Sequence, residues 1–334
     1  MMMQLGLTQG ALRRRGYCGV MVILCLTLAI LALVSGTMQL SVAQVLRALW
    51  GEGPAGIVTI VVQWRLPRVV MALILGASLG VSGAIFQSLL RNSLGSPDII
   101  GFNTGAYTGA LMSIILFNGG EFSTAVGALA GGILSSALVW LLTWRQGIQG
   151  FRLIIIGIAV SALLYSVNTW LIISASLESA MSAALWGAGS LNGITWSKGF
   201  PSLLFIATAF TLSLLLTRRM TLMEMGDDTA RALGVPVEIS RLLLMVIGVA
   251  LTAAVTAAAG PISFISLCAP QIARRLSGAD IPSLPAAALT GAFLLLAADF
   301  LAQRLFAPNQ LPVGVVTVCI GGIYLLVLLT RESR

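Results

Sequence analysis

Apolar residues in this chain fall in long unbroken runs of about 20, parted by short polar breaks rich in glycine, proline and arginine. Runs of that length suit helices crossing a bilayer and are too continuous for barrel strands. The pattern predicts about ten spans. The first follows a polar leader (1–18) and reaches about residue 34. It lacks a convincing small-x-small cleavage site before Met38 and is read as retained. A loop over 36–66 carries an amphipathic piece at 42–50. The later spans are 67–90, 98–117, 124–144, 152–174, 200–217, 241–260, 261–276, 285–303 and 312–329. The eighth is short and opens on Gly260-Pro261, which predicts a broken or steeply tilted helix. The chain reads as all-α and polytopic, with one transmembrane domain over 19–330.

One polar island interrupts this pattern, within a loop over 218–241. Four of the eleven acids fall in it: Glu224, Asp227, Asp228 and Glu238. Asp227 is expected at an N-cap with Asp228 in the first turn, Gly234 at the C-terminal stop, and Pro236 blocking continuation. The helix so defined has about two turns, too few to be stable alone. Ala230 and Leu233 share a face of it. It must dock on something, and its apolar flanks place it beneath a membrane domain.

Composition agrees: 58% of the 334 residues are hydrophobic and 9% charged, and mean hydropathy is +1.00. The net charge of +8 would suggest nucleic acid in a soluble protein. Here it marks topology: with the N-terminus inside, fourteen of the nineteen basic residues lie on the cytoplasmic side, leaving Arg47, Arg65, Arg68, Lys198 and Arg304 outside. Both termini are then cytoplasmic.

Little chemistry remains. Four scattered cysteines and no histidine make metal ligation by this chain unexpected. Gly76-Ala-Ser78-Leu-Gly80 matches a nucleophile pattern, but no histidine base exists and Lys198, the sole lysine, lies in an external loop. Ser78 is read as packing. No G-K-[ST] triplet exists, so any ATP is bound by another polypeptide. Glycines at helical spacing (Gly76, Gly80, Gly83; Gly101, Gly105, Gly109; Gly127, Gly131) predict close helix contacts. Asp299 is an acid inside a span, with Arg304 as a local counter-charge. Asp98 reads as a helix-start cap. Arg65 and Arg68 flank Leu66-Pro67 where interfacial anchors belong.

Six motifs, in order, resemble the iron-siderophore and cobalamin ABC importer permeases: Arg65-Leu-Pro-Arg68, Arg91-Asn-Ser-Leu-Gly-Ser-Pro97, Gly101-Phe-Asn-Thr-Gly-Ala106, Gly226-Asp-Asp-Thr-Ala-Arg-Ala-Leu-Gly-Val235, Gly260-Pro-Ile-Ser-Phe-Ile265 and Leu311-Pro-Val-Gly-Val-Val-Thr317. The resemblance covers nearly the whole chain. It implies a type II importer fold in the bacterial inner membrane, with a second permease subunit, two ATPase subunits carrying ATP and Mg, and a periplasmic siderophore-binding protein. No cofactor would be bound by this chain. The implied cargo is a ferric siderophore of the catecholate class, such as ferric enterobactin. Cobalamin, heme or another siderophore is an alternative, and a gradient-driven secondary transporter a more distant one.

Glu224, Gly226, Asp227, Asp228, Ala230, Leu233, Gly234 and Val235 would form the helix that couples to the ATPase. Arg65 and Arg68, with Arg304 as a third member, would receive acids of the binding protein. Relatives commonly place that third arginine where Gln303 stands. The pathway would run between two permeases along the third, fifth, eighth and tenth spans, past Asn103, Thr104, Gly105, Gly260 and Pro261. A cytoplasmic gate would lie at 146–151, with Gln149 and Gly150. Two positions depart from the family pattern: Ser93 stands where proline is usual, and Gln271 where histidine follows Pro270.

Overall fold

The computed structural model describes residues 2–36, 38–143, 150–278 and 283–332. Helix α1 (Met2–Val34) takes in the polar leader, so the first span begins inside a longer helix. The expected loop that follows is largely helical. Helix α2 (Val42–Leu49) opens on a reciprocal cap between Ser41 and Gln44, two orphan N–H groups satisfied at once. Helix α3 (Ala55–Thr59) passes through a π-helical segment (Ile60–Arg65) into α4 (Leu66–Leu90) without a break. The second span therefore has helical lead-in that hydropathy alone did not separate from loop.

The bundle is built around α4, most of whose residues are buried. Its glycines explain how. Helix α13 (Leu284–Ala302) crosses so closely that a Cβ on Gly76 would lie 2.4 Å from the Gly291 carbonyl oxygen, and one on Gly80 2.2 Å from that of Ala287. Gly83 is tighter still, 1.7 Å from the Ser266 carbonyl oxygen of α12 (Ile265–Ser277). Small residues at these spacings let backbones touch and make close dispersion contacts. On a third side Ser82 Oγ donates to the Gly248 carbonyl of α11 (Val237–Ala259) at 2.7 Å. Ser78 Oγ meets the Leu251 carbonyl at 3.5 Å, in keeping with a packing role. Gly83→Val is therefore expected to abolish recovery of monodisperse protein, whereas Gly120→Ala, where a Cβ meets nothing within 4 Å, is expected to be neutral. Size-exclusion profiles of the two variants check this.

Helix α5 (Phe102–Leu111), extended by a π-helical segment to Leu116, packs on α6 (Glu121–Thr143) through the same device. A Cβ on Gly109 would fall 2.0 Å from the Gly127 carbonyl oxygen. Helices α7 (Gly150–Ser174) and α9 (Trp196–Glu224) lie at the periphery. Between them in sequence comes α8 (Leu177–Gly187), which the span pattern did not predict. The short helix α10 (Asp227–Ala232) joins α9 to α11, and α14 (Val313–Glu332) closes the chain.

Among the described residues, seven helices are long and apolar enough to cross a membrane, and α14 is a shorter apolar helix. Together with α5 and α12 they give the ten elements the pattern predicted. The eighth is broken as expected: residues 261–264 are non-helical, Phe264 has φ +71, and the helix starts only at Ile265. Thirteen helical residues rise about 20 Å, short of the roughly 30 Å hydrocarbon thickness.

Candidate functional site

The residues singled out by sequence fall in three places. The first is α10. Its C-terminus closes as a Schellman motif: Val235 N donates to the Ala230 carbonyl at 3.0 Å and Gly234 N to that of Arg231 at 2.9 Å, with Gly234 at φ +80. Its N-terminus differs from expectation. Gly226, at φ +114, holds the N-cap position, and Asp227 is the first helical residue. That frees the Asp227 carboxylate for two arginines. Arg241 donates to Oδ2 at 2.8 Å, and Arg91, the left-handed residue that ends α4, reaches Oδ1. Arg91 also donates to the Met223 carbonyl at 2.8 Å, tying the end of α9 to the end of α4. Partial burial opposes ionisation of Asp227, but hydrogen bonds and charge from Arg241 and Arg91 outweigh it and hold the carboxyl below its usual range. Both arginines thus keep an ionised partner at neutral pH.

Ala230 and Leu233 do not present one common surface. Ala230 is fully buried against the bundle, while Leu233 is 58% exposed. Leu233, Met225 and Ile239 together make an exposed apolar set, beside exposed Asp228 and Arg231, which pair with each other at 3.1 Å. Val235 is buried, and Glu224 lies partly buried near Ser88, Arg274 and Arg91. α10 is therefore anchored on one side and presents a mixed apolar and charged face on the other.

The second place is the opposite end of the bundle, where each predicted arginine has an internal partner. Arg65 donates to the carbonyls of Leu33 (2.7 Å), Val34 (3.2 Å) and Met38 (2.6 Å), so it caps the end of α1. Arg68 makes a bidentate pair with Asp299, Nε to Oδ2 and Nη2 to Oδ1, both at 2.9 Å, and donates to Gln310 at 3.0 Å. Asp299 is thus neutralised across the fold by Arg68 rather than by its sequence neighbour Arg304. Gln303 adds a hydrogen bond to Asp299 at 2.8 Å. Arg304 instead covers the Phe300 ring, 3.7 Å from its centroid, and donates to Ser35.

The third place holds the pathway residues, and they divide between two neighbourhoods. Asn103, near the start of α5, donates to Asp98, which sits in a 3-10 turn (Pro97–Ile100) rather than at a helix N-cap. Thr104 is half-buried, and Gly105 is buried against Ser135 and the Gly131 carbonyl of α6. Gly260 ends α11, with Trp186 and Gly189 beside it, and Pro261 packs over Gly189. Gly150 begins α7, whereas Gln149 lies outside the described residues.

Sequence reasoning missed a further connection. Ser93 and Gln271, the two departures from the family pattern, touch. Gln271 Nε2 donates to the Ser93 carbonyl at 2.5 Å, and Tyr324 of α14 donates to Gln271 Oε1 at 3.4 Å. Gln87 adds a bond from α4 to the Leu267 carbonyl of α12 at 3.0 Å. The loop after α4 therefore holds α10 through Arg91 and α12 through Ser93. Gln271→Ala removes both of its bonds and is expected to lower Tm by a few degrees. An unchanged Tm would show that the contact does not hold the loop to α12.

Residues 23–331 match the FecCD transport family. The ferric enterobactin transport system permease protein FepG of Escherichia coli (strain K12) is 59% identical over 317 residues, covering 95% of this chain and 96% of that protein. The hemin transport system permease protein HmuU of Yersinia pestis is 35% identical, covering 97% and 98%. A solved metal-chelate type ABC transporter in an inward-facing conformation superposes with a TM-score of 0.82 at 28% identity, over 95% of this chain and 99% of that one.

Proposed function

Because the chain belongs to the FecCD transport family, we propose that it is the permease subunit of an ATP-driven importer that carries a catecholate ferric siderophore, ferric enterobactin or a close relative, into the cytoplasm. The observation that carries this reading is 59% identity with FepG along almost the whole of both chains. In this account the protein sits in the inner membrane with both termini cytoplasmic. It pairs with a second permease subunit, two ATPase subunits and a periplasmic binding protein. ATP and Mg belong to the ATPases, and this chain holds no cofactor.

In this reading each part has a task. The exposed face of α10 enters the ATPase, and its buried face passes the displacement to α9, α4 and α11 through Asp227, Arg91 and Arg241. ATP binding and release then bias two arrangements of the bundle, because packed helices shift between discrete positions rather than deform. Arg65, Arg68 and Arg304 lie at the periplasmic end, where acids of the binding protein would meet them. Asn103, Thr104, Gly105, Gly260 and Pro261, with Gln149 and Gly150 at the cytoplasmic side, border the pathway between the two permeases.

Expressed in an Escherichia coli strain lacking FepG, the chain is expected to restore uptake of radiolabelled ferric enterobactin. Restored uptake of hemin or a hydroxamate, without ferric enterobactin, would move the cargo to another class.

A further inference from the structure

A large cavity lies away from α7, α12 and α14. It is a crevice of about 1550 Å³ whose floor is α11 and whose walls are α6, the end of α8 and the first turns of α9, and of the pathway residues named above only Gly260, at the end of α11, is in its lining. On α6 its lining runs from Phe122 to Trp140, about 27 Å at 1.5 Å per residue and thus most of a bilayer's hydrocarbon core. The floor is small and apolar, with Val249, Ala250 and Ala253. Exposed Ile133 and Phe205 edge the walls. The volume exceeds the roughly 300–1,000 Å³ of small-molecule pockets, which points to a bulky apolar occupant.

The mouth supplies the chemistry. Glu121 and Lys198 are the only charged residues lining the crevice among the described residues, and they face each other across it at 2.5 Å. Both are well exposed, so the pair is loosely held and each partner can exchange. One cation and one anion side by side above a deep apolar slot complement an occupant with the same layout reversed. An anionic lipid would satisfy Lys198 and repel Glu121. A zwitterionic one satisfies both.

We propose that the α6–α9–α11 crevice is a binding site for a zwitterionic phospholipid of the phosphatidylethanolamine type. The headgroup phosphate sits at Lys198, its ammonium at Glu121, and the acyl chains lie along Val249, Ala250 and Ala253. The lipid fills a gap that α6 and α9 leave over α11, the helix that leads out of α10.

The test uses the full-length chain in detergent, incubated with phosphatidylethanolamine or phosphatidylglycerol and weighed by native mass spectrometry. Wild type is expected to retain one phosphatidylethanolamine at least fivefold over phosphatidylglycerol. Glu121→Gln should erase that preference, and Lys198→Gln should weaken phosphatidylethanolamine binding about tenfold, both at unchanged Tm. Ala250→Trp, which fills the floor, should abolish retention. Equal retention of both lipids by wild type, or binding indifferent to the two charge variants, overturns the proposal. So does a photo-crosslinker at Phe205 that captures a polypeptide rather than lipid in intact membranes.

Discussion

Leu233→Asp should leave the permease inserted and monodisperse while lowering ATP-driven uptake at least tenfold. Leu233 is more exposed than covered, so the bundle loses little when it becomes polar. A partner that buries it would lose a central apolar contact and gain an unpaired charge, a change that costs about 2 kcal/mol or more at an interface centre, about 30-fold in affinity. Gly234→Pro should act by another route. Proline cannot take φ +80, and it removes the N–H that meets the Arg231 carbonyl, so the C-terminal turn of α10 opens. Ala230→Asp differs from both: its site is fully buried, and protein yield itself should fall. Co-purification of the ATPase separates these outcomes. ATPase retained at wild-type level with normal uptake in Leu233→Asp would remove α10 from the coupling interface.

The second large effect is expected at Asp299. Its side chain is 2% exposed and its Arg68 partner 16%, so removing one member strands a buried charge at a cost of about 3–5 kcal/mol. Asp299→Ala should therefore lower Tm by several degrees. Arg68→Met combined with Asp299→Leu should recover much of the loss, because a well-packed apolar pair avoids desolvation. Asp299→Asn separates stability from docking. It keeps the shape of the site and unpairs the Arg68 charge. If Arg68 also receives an acid of the binding protein, association should quicken at low salt even as Tm falls, since complementary charge chiefly sets on-rate. A fall in Tm with unchanged association would leave Arg68 a purely internal residue.

The sequence showed what depends on local pattern. Run length and hydropathy located the spans, and Gly260-Pro261 marked the broken eighth one. Glycine spacing located the helix contacts that Gly76, Gly80, Gly83 and Gly109 make. Residues 218–241 announced a short polar helix, although its cap shifted by one residue because Gly226 could adopt φ +114 and release Asp227 for the arginines. What stayed hidden depends on distant partners. Asp299 was read against Arg304, five residues on, while its partner Arg68 lies 231 residues away. Ser93 and Gln271 looked like unrelated departures until α4 and α12 came together. The α8 signal was present: Ser176 accepts from the Ser179 N–H as an N-cap, with Glu178 in the first turn. A search for long apolar spans passes over an eleven-residue helix.

On the proposed function, this chain conducts a ferric siderophore only when an ATPase drives it. Proteoliposomes containing the chain, its partner permease and the ATPase, supplied with loaded binding protein, test this directly. Uptake of ferric enterobactin should require ATP, stop with vanadate and persist when the proton gradient is collapsed. Uptake that survives vanadate and fails with a protonophore would contradict the account and make the protein a gradient-driven carrier.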